Sequence, residues 1–359
     1  MIKGQMPWWA WAWPLAALVM FGISVFVELR GLFTLPAGVA LIAAVFAAVY
    51  HAEIIAHRVG EPYGTLTLAL AVTVIETGLI VSLMLAAPGD KSDLARDTVF
   101  AAVMIICNGV VGVCLLFGGI RHREQGFQLE SALAALAVLA ALTVLTLLVP
   151  NLTTSTPGPI FATSQLAFAA CASLVLYGSF VFFQTVRHRD YFLVPDGGDE
   201  EVHAAPPSSA QAFLSLFVLV ATLVAIVGLA KALSPTLETW VAALGSPKAV
   251  VGILVAALVL MPESLAALRA ARANRLQTSM NLALGSALAS IGLTIPAVAT
   301  VSILLNERLT LGLDAKEAVL LALTLLVAVI TLGTGRTTLL QGVVHLVIFA
   351  AFLFFAVVP

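Results

Sequence analysis

The sequence predicts an all-α integral membrane protein of eleven transmembrane helices, a lone first helix followed by two inverted five-helix repeats. Three observations carry that fold class. Of 359 residues, 61% are hydrophobic and only 10% charged, and the mean hydropathy is +1.08, more apolar side chain than a soluble core can enclose. The apolar residues fall in runs of about 20, the length that crosses a hydrocarbon layer of roughly 30 Å. One long hydrophilic interruption then divides the runs into six and five. A formal net charge of −2 without any Lys/Arg-rich stretch gives no footing for a nucleic-acid partner and leaves the lipid bilayer as the surrounding medium.

The spans follow in order at 11–29, 35–56, 65–86, 98–117, 129–149 and 161–183, then 211–232, 250–267, 278–304, 315–332 and 338–358. The first could be a cleaved leader, but no small-x-small site follows it. Trp8, Trp9, Trp11 and Trp13 form an interfacial belt, so a retained helix is expected. The division is therefore 1–34 for the first helix, 35–185 for the first repeat, 186–210 for a linker and 211–359 for the second repeat. The linker carries Asp196, Asp199, Glu200 and Glu201 and reads as a solvated cytoplasmic segment. Assigning loops alternately to two sides places ten of the 17 Lys and Arg residues with Lys3 and seven with Arg30. The richer side is cytoplasmic, which puts the N-terminus inside and the C-terminus outside. Cys107, Cys114 and Cys171 lie in apolar runs without ligand spacing and read as small packing residues.

Ionisable groups within the spans are the informative exceptions, because a charge at the bilayer centre costs at least about 2.5–3.5 kcal/mol. Glu76 lies in LTLALAVTVIETGLIVSLML and Glu263 in VGILVAALVLMPESLAAL, both well inside their spans. The third and eighth spans are five apart and cross in opposite directions, so one buried Glu in each is the footprint of an inverted repeat with an ion site near the midplane. Pro262 cannot donate to the carbonyl of Leu258 and should break or kink the eighth span, leaving a backbone oxygen that a desolvated cation would satisfy. Thr73 shares a helical face with Glu76 and offers a hydroxyl. A dry site favours the protonated carboxyl and a bound cation favours the ionised one, so protons and cations compete for the same oxygens. Oxygen donors suit Ca²⁺, Na⁺ or K⁺ better than a soft transition metal, and no resident cofactor is expected.

HAEIIAH (51–57) is not the HExxH of a zinc protease. Glu53, expected deep or near-deep, and His57, one turn on and near the cytoplasmic end of the second span, are candidates for gating or proton entry beside a plain helix-end pair. His345 and Gln341, also one turn apart, are expected to hydrogen-bond as a pair between helices. The spans hold no paired Asp and no Ser/Lys or Ser/His couple at helical spacing, which argues against an intramembrane enzyme. The remaining alternatives are a Na⁺-driven Ca²⁺ exchanger and a non-transporting receptor or assembly protein.

Several strings then resemble the Ca²⁺/cation:proton antiporter family, and among its branches the bacterial ChaA-type sodium-potassium/calcium:proton antiporters. GEPYGTLTLALAVTVIE (60–76) keeps the family register at Gly60, Glu61, Gly64 and Glu76. GGIRHREQGF (118–127) is similar to the loop after the following helix, and ESLAALRAARANRLQTSMNLALGS (263–286) to the second repeat, with Glu263, Asn274, Gly285 and Ser286 at family spacing. GTGRTTLLQG (333–342) resembles the polar turn before the last helix. The resemblance implies proton-coupled cation exchange across a bacterial inner membrane, with Glu76 and Glu263 as cation ligands and proton carriers and Ser286 beside the site. The family's GNA before each Glu is missing here, with Val72-Thr73-Val74-Ile75 and Leu260-Met261-Pro262 in its place, and Ser264 stands where His is usual. On the fourth span Asn108 is close to the register of a family Asn that falls on Ile106. Fewer polar ligands leave room for Na⁺ or K⁺ beside Ca²⁺.

Overall fold

The computed structural model describes residues 6–27, 31–60, 63–86, 93–193 and 207–358, apart from the side chains of 32, 63–66, 85 and 86. Glu28, Arg30, Glu61 and the four acidic residues of the linker lie outside the described residues. Among the described residues, eleven helices are long and apolar enough to cross a membrane, as the sequence predicts. They are α1 Trp9–Phe26, α2 Thr34–Val59, α3 Tyr63–Ala86, α4 Leu94–His122, α5 Leu129–Leu152 and α6 Thr163–Arg187. After the linker come α7 Ser209–Ala243, α8 Ala249–Arg272, α9 Leu276–Leu305, α10 Ala315–Leu332 and α11 Leu339–Val357.

The helices gather into two compact units, each drawing on both sides of the linker. The first consists of α1, α2, α3 and α7. Its centre is α2, where Ala37, Ala40, Ala44, Ala47, Ala48 and Ala52 are buried and let α1, α3 and α7 come close. Apolar burial gains little between helices in lipid, so this packing of small residues supplies the contact. His51 on α2 is fully buried and its Nε2 lies 3.0 Å from the carbonyl of Ala10, tying α1 to α2. The predicted end of the seventh span near 232 is corrected: α7 runs on to Ala243, 35 residues in all. Pro235 forfeits the bond to the Lys231 carbonyl, and the hydroxyl of Thr239 donates to the Pro235 carbonyl at 2.7 Å, holding the next turn. At about 1.5 Å per residue such a helix is close to 50 Å long, longer than the hydrocarbon is thick.

The second unit holds α4 to α6 and α8 to α11. Its most enclosed member is α4, with 89% of its apolar window buried against at most 61% for any other span. Midway along α4 the backbone widens into a π turn at Ile105–Val110. Two short pairings close the unit. Strand β1, Glu124–Gly126, follows α4 and pairs antiparallel with β2, Arg336–Thr338, which follows α10. A single bridge joins Ile160, between α5 and α6, to Thr310, between α9 and α10. Between α9 and α10 the loop is itself buried at Leu309, Leu311 and Leu313, and Arg96 of α4 donates to its Gly312 carbonyl at 3.2 Å. Cys107 and Cys114 are buried as predicted, whereas Cys171 faces outward.

Candidate functional site

In the first unit Glu76 stands near the middle of α3, only 2% exposed, with Ile75, Leu79 and Ile80 buried beside it. Thr73 is buried one turn before it and donates its hydroxyl proton to the Ala69 carbonyl at 2.9 Å. Its oxygen lone pairs remain able to accept or to coordinate. Glu53 and His57 are both exposed, because His51, Ala52 and Ile54 take the inward face of α2.

In the second unit Glu263 sits on α8, partly buried, and accepts a hydrogen bond from the hydroxyl of Ser286 on the neighbouring α9. The family resemblance of ESLAALRAARANRLQTSMNLALGS implies only that Ser286 neighbours the site; the hydrogen bond to Glu263 is seen in the structure. A hydroxyl donor to a carboxylate is charge-assisted and fixes the rotamers of both side chains. Of the break or kink expected at Pro262, a break is not found: α8 is helical without interruption from Ala249 to Arg272. Pro262 is buried in the packed interior, and Ser264 donates back to the Leu260 carbonyl at 2.6 Å, so neighbouring contacts hold the helix across the missing bond. The carbonyl of Leu258 still lacks the donor that any other residue at 262 would bring.

Asn108 lies in the π turn of α4, fully buried. Its Nδ2 donates to Thr324 Oγ1 of α10 at 2.8 Å, and its Oδ1 lies 3.2 Å from His345 Nδ1 of α11. The expected pair of His345 with Gln341 is therefore corrected, since Gln341 instead accepts from the backbone N–H of Thr338 at 2.5 Å and caps α11. Thr324 was not foreseen, for a lone Thr in an apolar run carries no signal until its neighbour 216 residues away is known.

At one end of the second unit the strings 118–127, 263–286 and 333–342 come together. His122 Nε2 lies 3.2 Å from the Arg272 carbonyl, and Gln125 donates to the Ala271 carbonyl at 3.0 Å and to Asn274 Oδ1 at 2.9 Å. Asn274 ends α8 with φ +61°, a conformation asparagine tolerates better than most side chains. Arg336 of β2 lies 3.6 Å from Glu124 of β1. Further in, Gln277 donates to Ser131 at 2.9 Å and Asn281 to the Phe192 carbonyl at 2.8 Å, which binds the start of the linker to α9.

Eleven apolar spans with a carboxyl at mid-helix on either side of the linker are the construction of a membrane ion carrier. The chain belongs to the sodium/calcium exchanger protein family, whose model matches residues 30–186 and 214–358. It is 49% identical to the Sinorhizobium fredii protein y4hA over 99% of this chain and 98% of that one. It is 36% identical to the Escherichia coli sodium-potassium/proton antiporter ChaA, over 94% of this chain and 92% of that one. Among solved structures its fold is similar to native YfkE, with a TM-score of 0.74 at 16% identity, covering 98% of this chain and 100% of that one. It is also similar to the H⁺/Ca²⁺ exchanger CAX, with a TM-score of 0.71 at 16% identity over 95% and 86% of the two chains.

Proposed function

We propose that this protein is a secondary active transporter of a bacterial inner membrane, N-terminus cytoplasmic, that exchanges cytoplasmic Ca²⁺, and Na⁺ or K⁺, for external protons. Glu76 and Glu263 are the groups on which proton and cation replace each other, with Thr73, Ser286 and the Leu258 carbonyl as supporting oxygens. The observation that carries the reading is the Glu263–Ser286 pair inside α8 and α9, matched in the other half by the enclosed Glu76. A carboxyl so placed is costly, and its retention in a span is explained by its use. A carboxylate loaded with either a proton or a cation can cross the dry interior, whereas the empty, charged group resists it; that asymmetry couples the two fluxes in alternating access. The names of the E. coli antiporter ChaA and of the Ca²⁺/H⁺ antiporter of Aphanothece halophytica support both cation classes.

Support for the inverted repeat comes from the two pairings of the second unit. Exchanging the first repeat for the second turns the β1–β2 contact, after α4 and after α10, into the Ile160–Thr310 contact, after α5 and after α9. The test is pH-gradient-driven ⁴⁵Ca²⁺ or ²²Na⁺ uptake by inverted vesicles. Uptake is expected for the wild type and lost with Glu76→Gln and Glu263→Gln together; full uptake by the double variant would exclude the assigned groups. Ca²⁺ uptake driven by a Na⁺ gradient at equal pH, with none driven by a pH gradient, would favour the Na⁺-driven alternative.

A further inference from the structure

The buried cluster of Asn108, Thr324 and His345 lies in the second unit and is no part of the Glu263–Ser286 pair. In an α-helix the N–H of Val111 would reach the carbonyl of Cys107. In the π turn of α4 it bonds Ile106 and Asn108 instead, so the Cys107 carbonyl loses that donor. Through Nδ1 the ring of His345 meets Asn108 Oδ1 at this turn, while Asn108 Nδ2 reaches Thr324. All three side chains are 0% exposed. A widened turn is thus stapled from α10 and α11 through the side chain of Asn108. The staple is held tightly, since a Cβ on Gly112 would lie 3.1 Å from that of His345, and one on Gly342 would lie 2.5 Å from the backbone nitrogen of Leu116.

The same π turn also packs against α8 and α9. Gly252 of α8 lies against the backbone of Asp97 and Thr98 on α4, and near the other end His122 meets the Arg272 carbonyl, so the two helices run parallel. Glu263 is 11 residues beyond Gly252, and 11 residues beyond Thr98 is Gly109, inside the π turn. Counting 9 residues back from His122 and Arg272 instead sets Val113 beside Glu263, so the carboxyl lies level with the end of the stapled turn or within a helical turn of it. π turns recur where a helix must present an irregular surface to a functional group.

We infer that His345 is a positioning residue for the cation site: with Asn108 and Thr324 it fixes the π turn of α4, which sets the place of Glu263. The link to cation binding rests on the function proposed above; the staple itself does not. The test uses the full-length protein with His345→Phe, which keeps the volume but removes the donors, and His345→Asn, which returns a donor near the position of Nδ1. Hydrogen–deuterium exchange of the peptide covering 105–111 reads the staple, and exchange kinetics in proteoliposomes read the site. His345→Phe should speed deuteration of that peptide and raise the half-saturating cation concentration about tenfold, the scale of lost support behind a metal ligand, at a nearly unchanged maximal rate; His345→Asn should restore both. Unchanged deuteration, or equal loss of maximal rate in both variants, overturns the inference. If the wild type exchanges no cation, the proposed function fails, while the deuteration comparison still accepts or rejects the staple.

Discussion

Ser286 gives Glu263 a hydrogen bond that no apolar side chain can replace. A hydrogen bond to a charged group is worth about 1.5–3 kcal/mol, and the partial exposure of Glu263 favours the lower end. Ser286→Ala is therefore expected to raise the half-saturating Ca²⁺ concentration roughly tenfold, read from initial rates in proteoliposomes, with Ser286→Thr close to the wild type. Glu76 and Glu263 were legible because an ionisable residue inside an apolar run is an exception that needs a reason. The outward face of Glu53 was not legible, because hydropathy gives depth along a helix but not the direction of its face. The partners of His345 stayed hidden for a different reason: helical spacing finds neighbours one turn apart, whereas Asn108 and Thr324 reach it from other helices.

Helix α8 carries Pro262 through an unbroken run, which separates two effects that the sequence merges. Pro262→Ala restores the N–H to the Leu258 carbonyl and relieves a ring clash, a change worth up to about 3 kcal/mol in a helix interior. The variant is expected to melt higher in detergent and to exchange cations more slowly, the first read by thermal unfolding and the second by flux. Gly342 makes the opposite case, since any Cβ there meets the backbone of Leu116. Gly342→Ala should separate α11 from α4 and cost about 1–3 kcal/mol, seen as a lower melting temperature. The number and order of the helices were legible from span length alone. The π turn of α4 and the course of α7 past Pro235 were not, because an apolar run looks the same at four or five residues per hydrogen bond.

For the molecule as a whole, competition between proton and cation fixes a sign. The half-saturating cation concentration is expected to rise as pH falls, approaching about tenfold per unit for each proton displaced. Glu263→Gln should flatten that dependence, measured as initial rates across a pH series at fixed gradient. The fold class was written in composition. The gathering of α1, α2, α3 and α7 into one unit was not, since it follows from the buried alanine stripe of α2 and not from sequence order. The ribbon of β1 with β2 and the bridge of Ile160 with Thr310 fasten opposite ends of α5 and of α10. A bundle pinned at its floor and its ceiling has no loose end from which to peel. Backbone amides in the middle of those helices should accordingly surrender deuterium protection together, in a single late event, whatever cargo is bound.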